Sequence, residues 1–282
     1  MRLPIIELPG TGSFGFEDRI SSRHLAWFGI AFLVLLFVLP VVMLLLESMN
    51  FDGGDPFQHY RTALSSVYLM TLVRTFWYAL LTTIFCLVLA YAFSYYVVFK
   101  ASHPLLFLAL IALPLWIAII IRYFGVALFF LPTGPFVEVF GSDFGVLFNT
   151  PGVVIGLISA LLPLAILPIY NSLQSIDDEY IHASRVLGAS QFTTAREVIL
   201  PMSLSGIVAG TLFVFILAAG SFLAPAILGG SGNFMMANII ESTFGYNTSL
   251  SAALAVVFTA ALLILVGVFN WFVNIGEVLG DL

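Results

Sequence analysis

Side chains able to do covalent or acid–base chemistry are few in this sequence, and their placement limits what it can do. The four histidines, His24, His59, His103 and His182, all fall in polar connecting segments or tails. The single lysine, Lys100, sits between Phe99 and Ala101, so the Gly-Lys-Ser/Thr of a phosphate-cradling P-loop is missing. Gly10-Thr-Gly12-Ser-Phe-Gly15 fits a dinucleotide-binding spacing, but a Rossmann turn needs a strand before it and a βαβ unit after it. Here a proline-flanked segment precedes and a long apolar run follows, which reads as an N-terminal tail. One cysteine, Cys86, forms neither an intrachain disulfide nor a thiolate metal cage. The densest set of polar groups outside the tails is Asp177-Asp178-Glu179, His182 and Arg185. That set suits a docking surface better than a nucleophile–base pair.

The elements that must carry these residues follow from composition. The 282 residues are 61% apolar and 9% charged. A soluble domain is about 45–50% apolar and about 25% charged, so a water-soluble globule is excluded. Net charge is −6 with no basic tract, which excludes a nucleic-acid partner. Six uncharged apolar stretches run Leu25–Leu46, Phe76–Phe99, Leu105–Ile121, Pro151–Tyr170, Leu204–Ala224 and Leu250–Val273. About 20 residues at 1.5 Å each cross a hydrocarbon core of about 30 Å. The runs show no polar alternation, so spanning helices and an all-α fold are expected. The third run ends at Arg122, with Tyr123–Leu131 extending its apolar character. Arg122 therefore lies near a membrane end or faces the protein interior. The first run is longer than a signal-peptide core and lacks a small-residue cleavage pattern, so it reads as a retained span.

With the N-terminus in the cytoplasm, the inner segments carry Arg2, Arg19, Arg23, Lys100, Arg185 and Arg196. The outer ones carry Arg61, Arg74 and Arg122. This is the positive-inside direction and puts both termini in the cytoplasm. The outer segments also hold Glu47, Asp52, Asp55, Glu138, Asp143 and Glu241. No Asp, Glu, His, Lys or Arg lies within the six runs, which argues against a membrane enzyme, a proton relay and a self-sufficient carrier.

The internal segment Asn171–Ser203 is the most polar stretch in the middle of the chain. Ser175 can cap a helix, with Asp178 at the reciprocal position and Asp177 and Glu179 suiting the positive dipole end. Tyr180, Ala183 (with Ser184) and Leu187 then form an apolar stripe at helical spacing. Gly188 ends this helix, Ser190 starts a second over Gln191–Leu200, and Pro201 stops it. A short helix with an apolar stripe outside the membrane wants a groove on another protein.

His182-Ala-Ser-Arg-Val-Leu-Gly188, nine residues, then Val198-Ile-Leu-Pro201 resembles the "EAA" signature of ABC-importer permeases, E-A-A-x-x-x-G, nine residues, I-x-L-P. Ala183, Gly188, Leu200 and Pro201 keep the expected spacing. The sequence departs with His182 for Glu, Ser184 for Ala and Val198 for Ile, and His182 removes a negative charge. The resemblance implies an inner-membrane permease of type I fold with residues 172–203 as its cytoplasmic coupling hairpin. Tyr180, His182, Ala183, Ser184, Leu187, Gly188, Leu200 and Pro201 would face the ATPase. It also implies a second homologous permease, two copies of a cytoplasmic ATPase and an external substrate-binding protein. No cofactor is expected, and residues 1–24 form a cytoplasmic tail ahead of a 25–282 permease domain. Pro114-Leu-Trp-Ile, Ile121-Arg-Tyr-Phe-Gly125 and Ser221-Phe-Leu-Ala-Pro-Ala-Ile-Leu-Gly-Gly230 narrow the resemblance to the first permease subunit of spermidine/putrescine-type importers.

A polyamine needs carboxylates for its ammonium groups and aromatic faces for cation–π contact. Asp143 and Glu241, with Trp116, Tyr123, Phe124, Phe222 and Tyr246 as walls, are the candidates. Arg74 and Arg122 weigh against a purely cationic path. An amino-acid derivative, opine, metal or oxyanion stays open as cargo. Gly206-Ile-Val-Ala-Gly210 is a small-xxx-small pattern that admits close helix approach, expected within the subunit rather than at the permease seam.

Overall fold

A computed structural model describes residues 22–49, 55–142 and 144–273. The described residues are helical and contain no strand. The helices are α1 (Ser22–Glu47), α2 (Gln58–Ala63), α3 (Ser66–Phe99), α4 (Pro104–Ala112), α5 (Ile119–Phe130), α6 (Pro135–Phe140) and α7 (Thr150–Gln174). The chain continues through α8 (Asp178–Val186), α9 (Gln191–Thr194), α10 (Leu200–Met202), α11 (Leu204–Ala219), α12 (Leu223–Leu228), α13 (Met236–Phe244) and α14 (Thr248–Val273). Five helical stretches are long and apolar enough to cross a membrane, and a sixth is added if the bent pair Gln191–Met202 and Leu204–Ala219 counts as one span.

Residues 1–46 and 47–282 form two units. In the first, α1 is a continuous apolar helix with Pro40 inside it. In the second, α3, α7 and α11 pack on one another around the core. The buried face of α3 carries small side chains at helical spacing, Thr75, Ala79, Cys86, Ala90 and Ser94, which let α7 approach closely. Thr75 and Thr83 satisfy their hydroxyls within the helix, whereas the buried Thr82 hydroxyl has no hydrogen-bond partner. Thr75 Oγ1 donates to the Thr71 carbonyl at 2.8 Å and Thr83 Oγ1 to the Ala79 carbonyl at 2.7 Å. α7 answers with Val153, Leu157, Ala165, Ile169 and Leu173, all buried.

The expected contact within the subunit at Gly206 is present. A Cβ on Gly206 would stand 2.5 Å from the Pro168 carbonyl oxygen and 2.6 Å from Ser172 Cβ on α7. Only glycine permits that approach. Ser172 and Ser205 hydroxyls meet beside it at 3.0 Å.

Two expectations about the spans are corrected. Leu105–Ile121 is not one helix. α4 ends at Ala112, tightens into a 3-10 turn over Leu113–Trp116, and the chain is extended at Ile117 and Ala118 before α5. Pro114 lacks the N–H that an α-helix needs and clashes with the preceding turn, which accounts for the break. The span-length stretch there is Ile119–Phe140 instead. The second span also starts earlier than Phe76, at Ser66, and so includes Arg74. Arg74 donates to Thr71 Oγ1 and to the Gly232 carbonyl, which turns its charge into a tether for a distant loop.

Candidate functional site

The polar segment folds as a helix–turn–helix. α8 begins at Asp178 with Asp177 in the extended N-cap conformation, and Asp178 and Glu179 occupy the first turn. Ser175 does not cap it. Its hydroxyl donates back to the Ser172 carbonyl at 2.8 Å, closing the end of α7 instead. α8 ends in a Schellman arrangement: Gly188 N–H donates to the Arg185 carbonyl and Ala189 N–H to the Ser184 carbonyl, both at 3.0 Å. Gly188 has φ +87° with open space around it, so glycine is required here for backbone conformation and not for room.

The return helix starts as the sequence suggests. Ser190 Oγ accepts the Thr193 N–H at 3.1 Å. It does not stop at Pro201. α9 passes into a π-turn over Ala195–Ile199, and the helix runs through Pro201 to Met202 before bending by 64° into α11. A proline ring crowds the carbonyl four residues back, and a wide π-turn just ahead of it relieves that clash.

The hairpin has two distinct faces. Ile181, Thr194 and Ile199 are buried on the inner one. Ser184 bridges to Thr194 through their hydroxyls at 2.9 Å. The outer face is apolar and bare: Tyr180 and Ala183 are exposed, and Leu187 and Val186 at the tip are each 87% exposed. Phe192 extends this surface at 75% exposure. His182 is exposed, as are Leu200 and Pro201 at the far end of the return helix. Val186 and Phe192 were not expected from the sequence. A phenylalanine just after the Ser190 cap on an otherwise polar helix was the available signal. Behind the hairpin, a cavity of about 290 Å³ separates it from the end of α3, with Lys100, Asp178, His182 and Arg185 among its walls.

A second cavity, of about 340 Å³, lies between α5, α7 and the segment Leu217–Leu223. Tyr123 and Phe222, two of the expected path residues, line it together with Arg122 and Ser221. Tyr123 is fully buried, whereas Phe222 is partly open. Arg122 faces protein: one terminal nitrogen donates to the Ala160 carbonyl of α7 at 3.2 Å, and its Nε is buried without an acceptor. Trp116, in the 3-10 turn, is 89% exposed and does not line this cavity. Glu241 is exposed on α13 and does not line it either. Asp143 lies outside the described residues.

The non-helical backbone between α12 and α13 has polar groups satisfied by protein. Asn233 does this. Its Oδ1 accepts the Tyr78 hydroxyl at 2.8 Å, and its Nδ2 donates to the Gly229 carbonyl at 2.8 Å. Thr75 Oγ1 accepts the Met236 N–H at 2.8 Å, and Asn238 Nδ2 donates to the Phe222 carbonyl at 2.8 Å. Phe222 is thereby held by a helix sixteen residues away.

Span-length apolar helices, a glycine-closed hairpin and a cavity lined by α5 and α7 suit a transport component, and comparison with known proteins gives its class. Residues 19–277 match the family described as binding-protein-dependent transport system inner membrane component. The chain is 31% identical over 230 residues to the spermidine/putrescine transport system permease protein PotB of Escherichia coli, covering 76% of this chain and 83% of that protein. The PotB of Haemophilus influenzae is 31% identical over 247 residues, covering 83% of this chain and 85% of that one. The sulfate transport system permease protein CysW of Synechocystis is 27% identical, covering 80% and 79%. The fold is similar to a chain in the crystal structure of a bacterial ABC transporter involved in alginate import, with TM-score 0.73 and 16% identity over 89% of this chain and 94% of that one. The chain belongs to the binding-protein-dependent inner-membrane component family and is a permease subunit of an ABC importer.

Proposed function

We propose that this permease imports a polyamine, or a similar small cationic amine, by alternating access. Its relatives in Escherichia coli and Haemophilus influenzae are named spermidine/putrescine permeases, and the aromatic walls Tyr123 and Phe222 suit a thin polycation with methylene segments. Trp116, Asp143 and Glu241 belong to the path by residue type, Trp116 and Glu241 at points outside this cavity. The chain sits in the bacterial inner membrane with both termini cytoplasmic. It pairs with a second homologous permease and receives cargo from an external binding protein.

The α8–α10 hairpin is the coupling element for two copies of a cytoplasmic ATPase. The observation that carries this reading is the bare apolar face formed by Tyr180, Ala183, Val186, Leu187 and Phe192 on a hairpin whose turn is fixed by Gly188. Ala183, Leu187 and Gly188 engage the ATPase cleft, Ser184 holds the two arms together, and Leu200 and Pro201 pass the motion to α11. His182 replaces the family glutamate, so no carboxylate is available for contact there.

The test is spermidine uptake by proteoliposomes containing this chain, the second permease and the ATPase, with the binding protein outside. Uptake is expected only with nucleotide present. Equal uptake by this chain alone without nucleotide would overturn the reading.

A further inference from the structure

Arg122 carries a permanent charge and is half-buried on the wall of the interior cavity. Its hydrogen-bond acceptor, Ala160, stands ten residues from the start of α7 and fourteen from its end. At 1.5 Å per residue that is about 15 Å from one end of the span and about 21 Å from the other. The guanidinium is therefore near mid-height of a hydrocarbon core about 30 Å thick. A guanidinium is not deprotonated in proteins, and in a low-dielectric site it needs a counter-charge. One carbonyl hydrogen bond does not supply it, and Nε is buried with no acceptor.

No acid among the described residues serves this purpose: no aspartate or glutamate lines the cavity. The cargo does not serve either, since on the polyamine reading it bears the same sign and is present only in transit. The counter-charge must be resident. Phe222, Leu217 and Ile119 leave an exposed apolar margin at the cavity, a surface suited to being covered by protein.

We infer that Arg122 is one half of an ion pair whose carboxylate belongs to the second permease, so that the two subunits are joined by a charge pair near the bilayer midplane. This rests on the reading of the chain as half of a permease pair. A passing ammonium group competes with Arg122 for the carboxylate, so the pair also sets how long cargo rests there.

The experiment uses the assembled transporter and reads two things: co-purification of the two permeases, which is independent of cargo, and nucleotide-dependent polyamine uptake. Arg122→Lys keeps the charge and is expected to hold uptake within about threefold of the unsubstituted protein. Arg122→Glu is expected to lower both readouts at least about tenfold. Lysine in place of one particular intramembrane aspartate or glutamate of the second permease then restores them. Should the Arg122→Glu chain not accumulate, the neutral pair decides: Arg122→Gln is expected to rescue the loss caused by changing that acid to its amide.

Three results would overturn the inference: a second permease without an acid in its spans, an assembled Arg122→Glu complex that no acid replacement rescues, or a wild-type transporter that carries an ω-amino carboxylate in an Arg122-dependent way. The last assigns the guanidinium to cargo. Absence of polyamine uptake by the unsubstituted complex, with charge-swap co-purification intact, would instead remove the polyamine reading and leave the pair standing.

Discussion

The hydroxyls of Ser184 and Thr194 lie 2.9 Å apart and tie the two arms of the hairpin together across the Gly188 turn. Thr194 is buried and Ser184 half-buried, so this contact is shielded from water. Ser184 stands where the family pattern has alanine, and its hydroxyl adds a bond that alanine cannot make. A single intramolecular hydrogen bond contributes about 0.5–1.5 kcal/mol. Ser184→Ala and Thr194→Val are each expected to loosen the hairpin by about that amount, and the double variant by little more than either alone. Hydrogen exchange across residues 178–202 is the readout. Fully additive losses would show that the two hydroxyls do not act on each other.

The turn itself depends on one backbone angle. Gly188 has φ +87°, and nothing stands within 4 Å of where its Cβ would be. A β-branched residue fits the space but not the conformation, at a cost of order 1–3 kcal/mol. Gly188→Val is expected to leave membrane insertion unchanged and to lower nucleotide-dependent uptake severalfold. Gly188→Asn, which tolerates the left-handed region, is expected to lie between. Unchanged uptake in Gly188→Val would count against a coupling role.

Gly206 poses the opposite problem. Its φ is not at issue, but its missing side chain is: a Cβ would meet the Pro168 carbonyl at 2.5 Å, whereas at Gly210 the nearest atom is 3.4 Å away. Gly206→Ala is expected to destabilise the detergent-solubilised protein by about 1–3 kcal/mol through overpacking. Gly210→Ala should be nearly silent. Thermal unfolding of the two variants checks the order, and equal midpoints would contradict the packing described.

The outer face of the hairpin predicts a fourth pattern. Leu187 and Phe192 are exposed, so Leu187→Ser and Phe192→Ser should not alter the stability of the isolated chain. If each side chain is buried on docking, its loss removes about 1.5–3 kcal/mol of hydrophobic stabilisation. The ATPase should then bind at least about tenfold more weakly to either variant. Pull-down of the ATPase at graded concentration measures this.

The helices and the hairpin were legible because their signals are local. Uncharged runs of span length, the acids opening α8, Gly188 closing it and Ser190 starting the return arm each act within a turn or two of the residues they organise. The parts that sequence alone misplaced depend on contacts between distant segments or on strain. Pro114 divides the third run, while Pro201, a residue of the same type, is absorbed by a π-turn and stops nothing. Ser175 donates its hydroxyl to the Ser172 carbonyl at the end of α7, and Asp177 takes the N-cap position of the helix it was expected to cap. The placement of Arg122 against Ala160, and of Asn233 between Tyr78 and Gly229, joins residues 38 and 155 positions apart, beyond any spacing rule. Of the cavity, the aromatic walls Tyr123 and Phe222 could be picked by residue type. Trp116 and Glu241 share that chemistry but do not line it.

The most direct test of the account is a crosslink at the hairpin tip. The native cysteine, Cys86, is buried, so Leu187→Cys places an accessible thiol 87% exposed at wild type on the surface argued to dock. With cysteines placed around the cleft of the partner ATPase, a disulfide between the two subunits is expected to form in the assembled transporter and to block nucleotide-dependent uptake until reduced. A thiol at position 187 that never reaches the ATPase in a transporter that still imports its cargo would contradict the account.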